Sequence, residues 1–201
     1  MTFPTSHLDF QALHDSVAAR IDLEARLPTW PFRDGRGYAT IFEYDRILGG
    51  SFGSVLAELA ETYRDDSVTA VGIEPRPAYY HDEYGLFPAF AVAGDRVRTE
   101  YGAALTFEPG GDPTGSLGDS LNVIAITGSS GAWSVFGQRD WEIGLLLARD
   151  SDGAWLSAGV PWFAVDVDLD SIRSPAGWGA TLSDRDREEF ARQLRERGSG
   201  P

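Results

Sequence analysis

With 201 residues, 42% of them hydrophobic and 12% aromatic, the chain has the length and composition of one packed domain. It carries 31 acidic residues against 17 basic ones, a formal net charge of −14, and contains no cysteine and no lysine. These absences exclude disulfides, thiolate zinc sites, cysteine nucleophiles, Schiff-base lysines and a P-loop lysine, and the negative field disfavours nucleic acid, whose binding rests on neutralising phosphates.

The first ten residues show no basic stretch followed by an apolar run, and no segment approaches the ~20 apolar residues of a membrane helix. A cytoplasmic location and no membrane contact are the expectation. Leu13, Val17 and Ile21, spaced i, i+4, i+8, predict a helix over 8–27 that ends before Pro28. Residues 38–44 (YATIFEY) are rich in β-formers and predict a strand. A helix is expected from Phe52 to about Arg64, its buried stripe being Phe52, Val55, Leu56, Leu59 and Tyr63. Residues 68–74 then read as a strand closed by Pro75 and Pro77, which places a strand/helix/strand unit at 38–74.

Residues 76–119 read as an irregular loop region. They hold the aromatic cluster Tyr79, Tyr80, Tyr84, Phe87 and Phe90, and a turn-rich stretch at 108–115. A β-meander is expected over 121–169, with strands at 121–127, 132–136, 141–148 and 162–169. In the third of these, Trp141, Ile143, Leu145 and Leu147 alternate onto one face, as in a half-buried strand. A C-terminal helix over 183–197 has Ser183 as N-cap, Asp184 and Asp186 in its first turn, and Gly198 as a stop. The fold class that follows is α+β: a mostly antiparallel sheet packed against two or three helices, in one domain spanning 1–201.

Four groups of residues could carry chemistry or binding. Gly49-Gly50-Ser51-Phe52-Gly53 spells G-x-S-x-G between a β-like run and a helix. Over residues 47–74 the chain resembles the nucleophile elbow of α/β-hydrolases, and the resemblance implies Ser51 as nucleophile. A serine needs a base, and the family's order places a histidine well downstream. The chain offers only His81, thirty positions on, with Asp82 beside it; His7 and His14 precede the serine. The same letters also describe a helix start capped by Ser51 or Ser54. A three-histidine zinc site would require His7, His14 and His81 to converge.

Tyr79-Tyr80-His81-Asp82-Glu83-Tyr84 is the densest chemically capable stretch, suited either to general base chemistry at His81 or to protein recognition through its tyrosines. Trp133 and Trp141 are candidates for a cross-strand pair and for the binding surface. Asp166, Asp168 and Asp170 alternate with apolar residues on one strand face. The EF-hand pattern fails because its sixth and twelfth positions are Ser171 and Gly177, which leaves a solvated strand face as the reading and a cation site at Asp166 and Asp168 as the alternative. No cofactor motif is present. The leading expectation is a non-catalytic acidic protein that binds a basic protein partner, immunity-like or antitoxin-like. The alternative is an atypical serine hydrolase using Ser51 and His81.

Overall fold

In the computed structural model, which describes residues 3–33, 37–151, 153–158 and 183–197, the chain opens with helix α1 (His7–Ala18). Ser6 caps it: the Asp9 amide donates to Ser6 Oγ at 3.1 Å, and Ser6 Oγ donates to the Asp9 carboxylate at 2.7 Å. The helix is shorter than the i, i+4 stripe implies. From Ile21 the pattern changes to strict alternation: Ile21, Leu23, Ala25 and Leu27 are buried while Asp22, Glu24 and Arg26 face outward. The segment is not helical: it makes two turns, with the Ala25 amide bonded to the Asp22 carbonyl and the Thr29 amide to the Arg26 carbonyl, and folds back on itself with an isolated Ile21–Phe32 bridge and an Asp22 amide bonded to the Pro31 carbonyl.

Strand β1 (Tyr38–Glu43) leads through the one-turn helix α2 (Asp45–Leu48) into α3 (Phe52–Tyr63), whose buried residues include the whole expected stripe. Strand β2 (Ser67–Glu74) follows. The segment expected to be irregular is then mostly ordered. It contains α4 (Pro77–Tyr84), β3 (Ala89–Ala93), α5 (Val97–Leu105) and the one-turn α6 (Leu117–Ser120). Pro77 sits in the first turn of α4, where a missing amide hydrogen costs nothing. Strands β4 (Val123–Gly128), β5 (Trp133–Gln138) and β6 (Ile143–Ala148) form the meander, and α7 (Asp184–Arg197) closes the described chain. The expected fourth meander strand at 162–169, Gly198 and the aspartates Asp166 and Asp168 lie outside the described residues.

The six strands of the described residues join one antiparallel sheet in the order β1-β6-β5-β4-β2-β3, so the class is α+β in a single domain. Both faces of the sheet are covered. On one side α3, α5 and the turn carrying Trp155 pack with Phe42, Ile124, Ile126 and Leu146. On the other, α1, α7 and the 21–32 segment pack with Ile41, Ala125, Leu145 and Leu147. Every residue of β4, β5 and β6 is therefore buried, and β6 is not the half-buried strand its alternation suggests.

Asp65 links the helical layer to the sheet. Helix α3 ends with Arg64 in left-handed geometry (φ 56°, ψ 47°), and the Asp65 amide returns to the Ala60 carbonyl. The Asp65 side chain is buried, accepting from Trp133 Nε1 at 2.7 Å and from the Ser130 amide of the β4–β5 turn. Gly94 and Gly128 lie so close to Asp65 that a Cβ at either would collide with it. Asp65→Ala strips the buried Trp133 indole and the Ser130 amide of their acceptor, and urea unfolding is expected to show a loss of about 3 kcal/mol. Wild-type stability in this variant would show that the carboxylate does not hold the hairpin.

Candidate functional site

At the end of the sheet, α4 lies beside the N-terminus of α1, and their rings build one ladder. His81 stacks on Phe87 at 4.2 Å between centroids and 22° between planes, and Phe87 stacks on Phe10 at 4.5 Å and 14°. His7 meets Phe87 edge-on at 4.8 Å and His81 at 5.6 Å, and His14 lies 5.7 Å from Phe10. All three histidines of the chain thus converge on Phe10 and Phe87. Packing produces the convergence: Phe87 is buried at the centre, and the Phe87 amide donates to the Pro4 carbonyl at 2.9 Å, which fixes where α1 begins. No group of three metal-capable side chains forms among the described residues, so the convergence makes no zinc site there.

Charge on these two helices is one-sided. Between them α1 and α4 carry Asp9, Asp15, Asp82 and Glu83 and no arginine, a formal −4 with neutral histidines. Leu8, 81% exposed, and Tyr79, 65% exposed, project from the same pair and are two of the three large hydrophobic side chains exposed among the described residues; Phe107 is the third. Each helix thus sets one exposed apolar side chain among carboxylates.

The tyrosines of the expected cluster divide between surface and core. Tyr79 is exposed. Tyr80 is buried and donates its hydroxyl to the Gly115 carbonyl, while the half-buried Tyr84 packs against it at 4.8 Å. Trp133 is core, its indole committed to Asp65. Trp141 stands past the far end of β5, packed edge-on at 5.5 Å against Phe190 of α7. The two tryptophans face opposite sides of the sheet and do not form the cross-strand pair.

Ser51 does not have the geometry of an elbow. Its backbone is helical (φ −62°, ψ −26°) and unstrained, whereas the elbow is a sharp, strained turn. The amides of Phe52, Gly53 and Ser54 donate to the carbonyls of Gly49, Gly50 and Ser51, so the first turn of α3 holds no free donors for an oxyanion. The hydrolase resemblance also implies neighbouring parallel strands, yet β1 and β2 are separated by β6, β5 and β4. Ser51 starts α3 in one helical layer, whereas the His81 ring packs with His7 and Phe87 of the other layer's core. Asp82 is exposed, and its Oδ1 lies 3.9 Å from His81 Nδ1, beyond hydrogen-bond reach. Nor does Ser51 cap the helix: its side chain makes no cap hydrogen bond, and α2 has already ended at Gly49, whose backbone is extended (φ −80°, ψ 137°).

Among the described residues no helix is long and apolar enough to cross a membrane. Comparison of the chain with known protein families, with curated proteins and with solved structures gives no match.

His7, Leu8 and His14 belong to this face and Phe10 lies beneath it, although sequence reasoning did not place them there. His7, Phe10 and His14 are spaced i, i+3, i+7 on α1, one helical stripe, and that spacing was the available signal. Burial pushes the Tyr80 phenol up to about 12, with Tyr84 adding to the effect. The folded state therefore holds the Tyr80 proton after the unfolded chain has lost it. Stability from this group is fully present below pH ~10 and is lost as pH rises from there through about 12. Tyr80→Phe should cost about 1 kcal/mol at neutral pH and flatten that alkaline loss in urea titrations. An unchanged alkaline slope would contradict the assignment.

Proposed function

We propose that the protein is a non-catalytic acidic interaction module of the cytoplasm that docks a basic protein partner, in the manner of an immunity protein or antitoxin. Its contact surface is the α1–α4 face. The observation that carries this reading is the arginine-free pair of helices that presents Leu8 and Tyr79 among four carboxylates. Complementary charge steers a basic partner to such a face, and a rigid aromatic side chain supplies contact area at low entropic cost. The overall charge of −14 extends the attraction beyond the face itself.

The reading is tested with fluorescent nona-arginine as a defined basic probe, its affinity followed by anisotropy at low and high salt. Affinity is expected to fall steeply as salt screens the face. Asp82→Arg should weaken binding about tenfold and Tyr79→Ala about fivefold, while Glu188→Arg, an equal charge reversal on α7, should have little effect. Equal losses at Asp82 and Glu188 would mean that the probe reads net charge alone, and would defeat the assignment of the face.

A further inference from the structure

We infer that the α1–α4 face is a proton-gated docking surface, on which uptake of protons by His7, His14 and His81 releases a basic partner. The inference rests on the reading of that face as the contact surface. It is carried by the convergence of every histidine in the chain on one ladder around Phe10 and Phe87, beside the four carboxylates of the same two helices. Histidine is the side chain whose ordinary titration falls between pH 5 and 8. Protonating all three takes the two helices from a formal −4 to −1, which removes most of the attraction for a cationic partner.

The surroundings favour this sense of change. From α1, Asp15 Oδ1 lies 3.4 Å from His14 Nδ1, with Asp9 on the same helix; from α4 come Asp82, 3.9 Å from His81 Nδ1, and Glu83. Of the strands packed against α1, β3 and β4 carry no charged residue, and β2 contributes Glu74, which is paired with Arg26 at 3.6 Å. Arg76, just before α4, is the nearest cation in sequence. His81 lies face-on to Phe87, where a π face accepts its positive charge, while His7 beside it acquires a like charge. Protonation therefore cuts the negative charge of the rim and also sets two cations side by side where α1 meets α4.

The same nona-arginine probe decides the matter at constant salt, at about pH 7.5 and about pH 5.5. Wild-type affinity is expected to fall about tenfold at the lower pH. The His7→Gln/His14→Gln/His81→Gln variant should lose less than about threefold. His7→Gln/His14→Gln leaves the stacked His81 ring in place and so keeps the core intact, and it should remove most of the pH dependence. Wild-type binding that does not change with pH, or an equal change in the wild type and the histidine variants, overturns the gate and leaves the docking surface standing. No binding at either pH defeats the docking reading itself.

Discussion

The buried carboxylate of Asp65 holds the architecture in register. It is 7% exposed, accepts from the Trp133 indole and the Ser130 amide, and lies against Gly94 and Gly128. One residue thereby fixes the end of α3, the start of β2, the turn after β3 and the β4–β5 hairpin. A carboxyl group in this position is tolerated because it accepts from two donors, and removing either side leaves the other unsatisfied. With these junctions fixed, α3 lies along one face of the sheet and leaves the opposite face to α1, α7 and the 21–32 segment.

That separation into two layers decides which chemistry the chain can assemble. Ser51 opens a helix of the first layer, with its neighbouring amides already bonded, whereas the imidazoles gather in the second around Phe10 and Phe87. A sheet buried on both sides stands between the two cores. The acidic residues of α1 and α4, with Leu8 and Tyr79, lie at the surface over this second core. The proposed docking face and the proposed proton gate therefore rest on one junction.

Much of the architecture was legible in the sequence. Residues 38–43, the stripe of α3, β2, the three meander strands and the capped start of α7 all follow from local periodicity and turn chemistry. The end of α1 was misread because Ile21 continues a helical spacing while also starting the alternation Ile-Asp-Leu-Glu-Ala-Arg-Leu, and the fold follows the alternation. Helix α4 was hidden because only Tyr80 of its eight residues is buried, leaving no apolar stripe to detect. Helix α5 did carry one, with Val97, Tyr101, Ala104 and Leu105 at i, i+4, i+7, i+8, but turn-rich neighbours obscured it. For the site, the exposure of Tyr79 and the acidity of its stretch were readable. The meeting of His81 with His7 was not, since it depends on tertiary packing across more than seventy residues. Trp133 was misassigned to a surface because its composition says nothing of Asp65, whose carboxylate draws the indole inward.

The central claim is that recognition is localised on α1 and α4, and amide chemical-shift mapping with nona-arginine tests it most directly. The account predicts perturbations concentrated on residues 7–18 and 77–84, strongest around Leu8, Tyr79 and Asp82. Perturbations centred on α7, or spread evenly over the acidic surface, would contradict it.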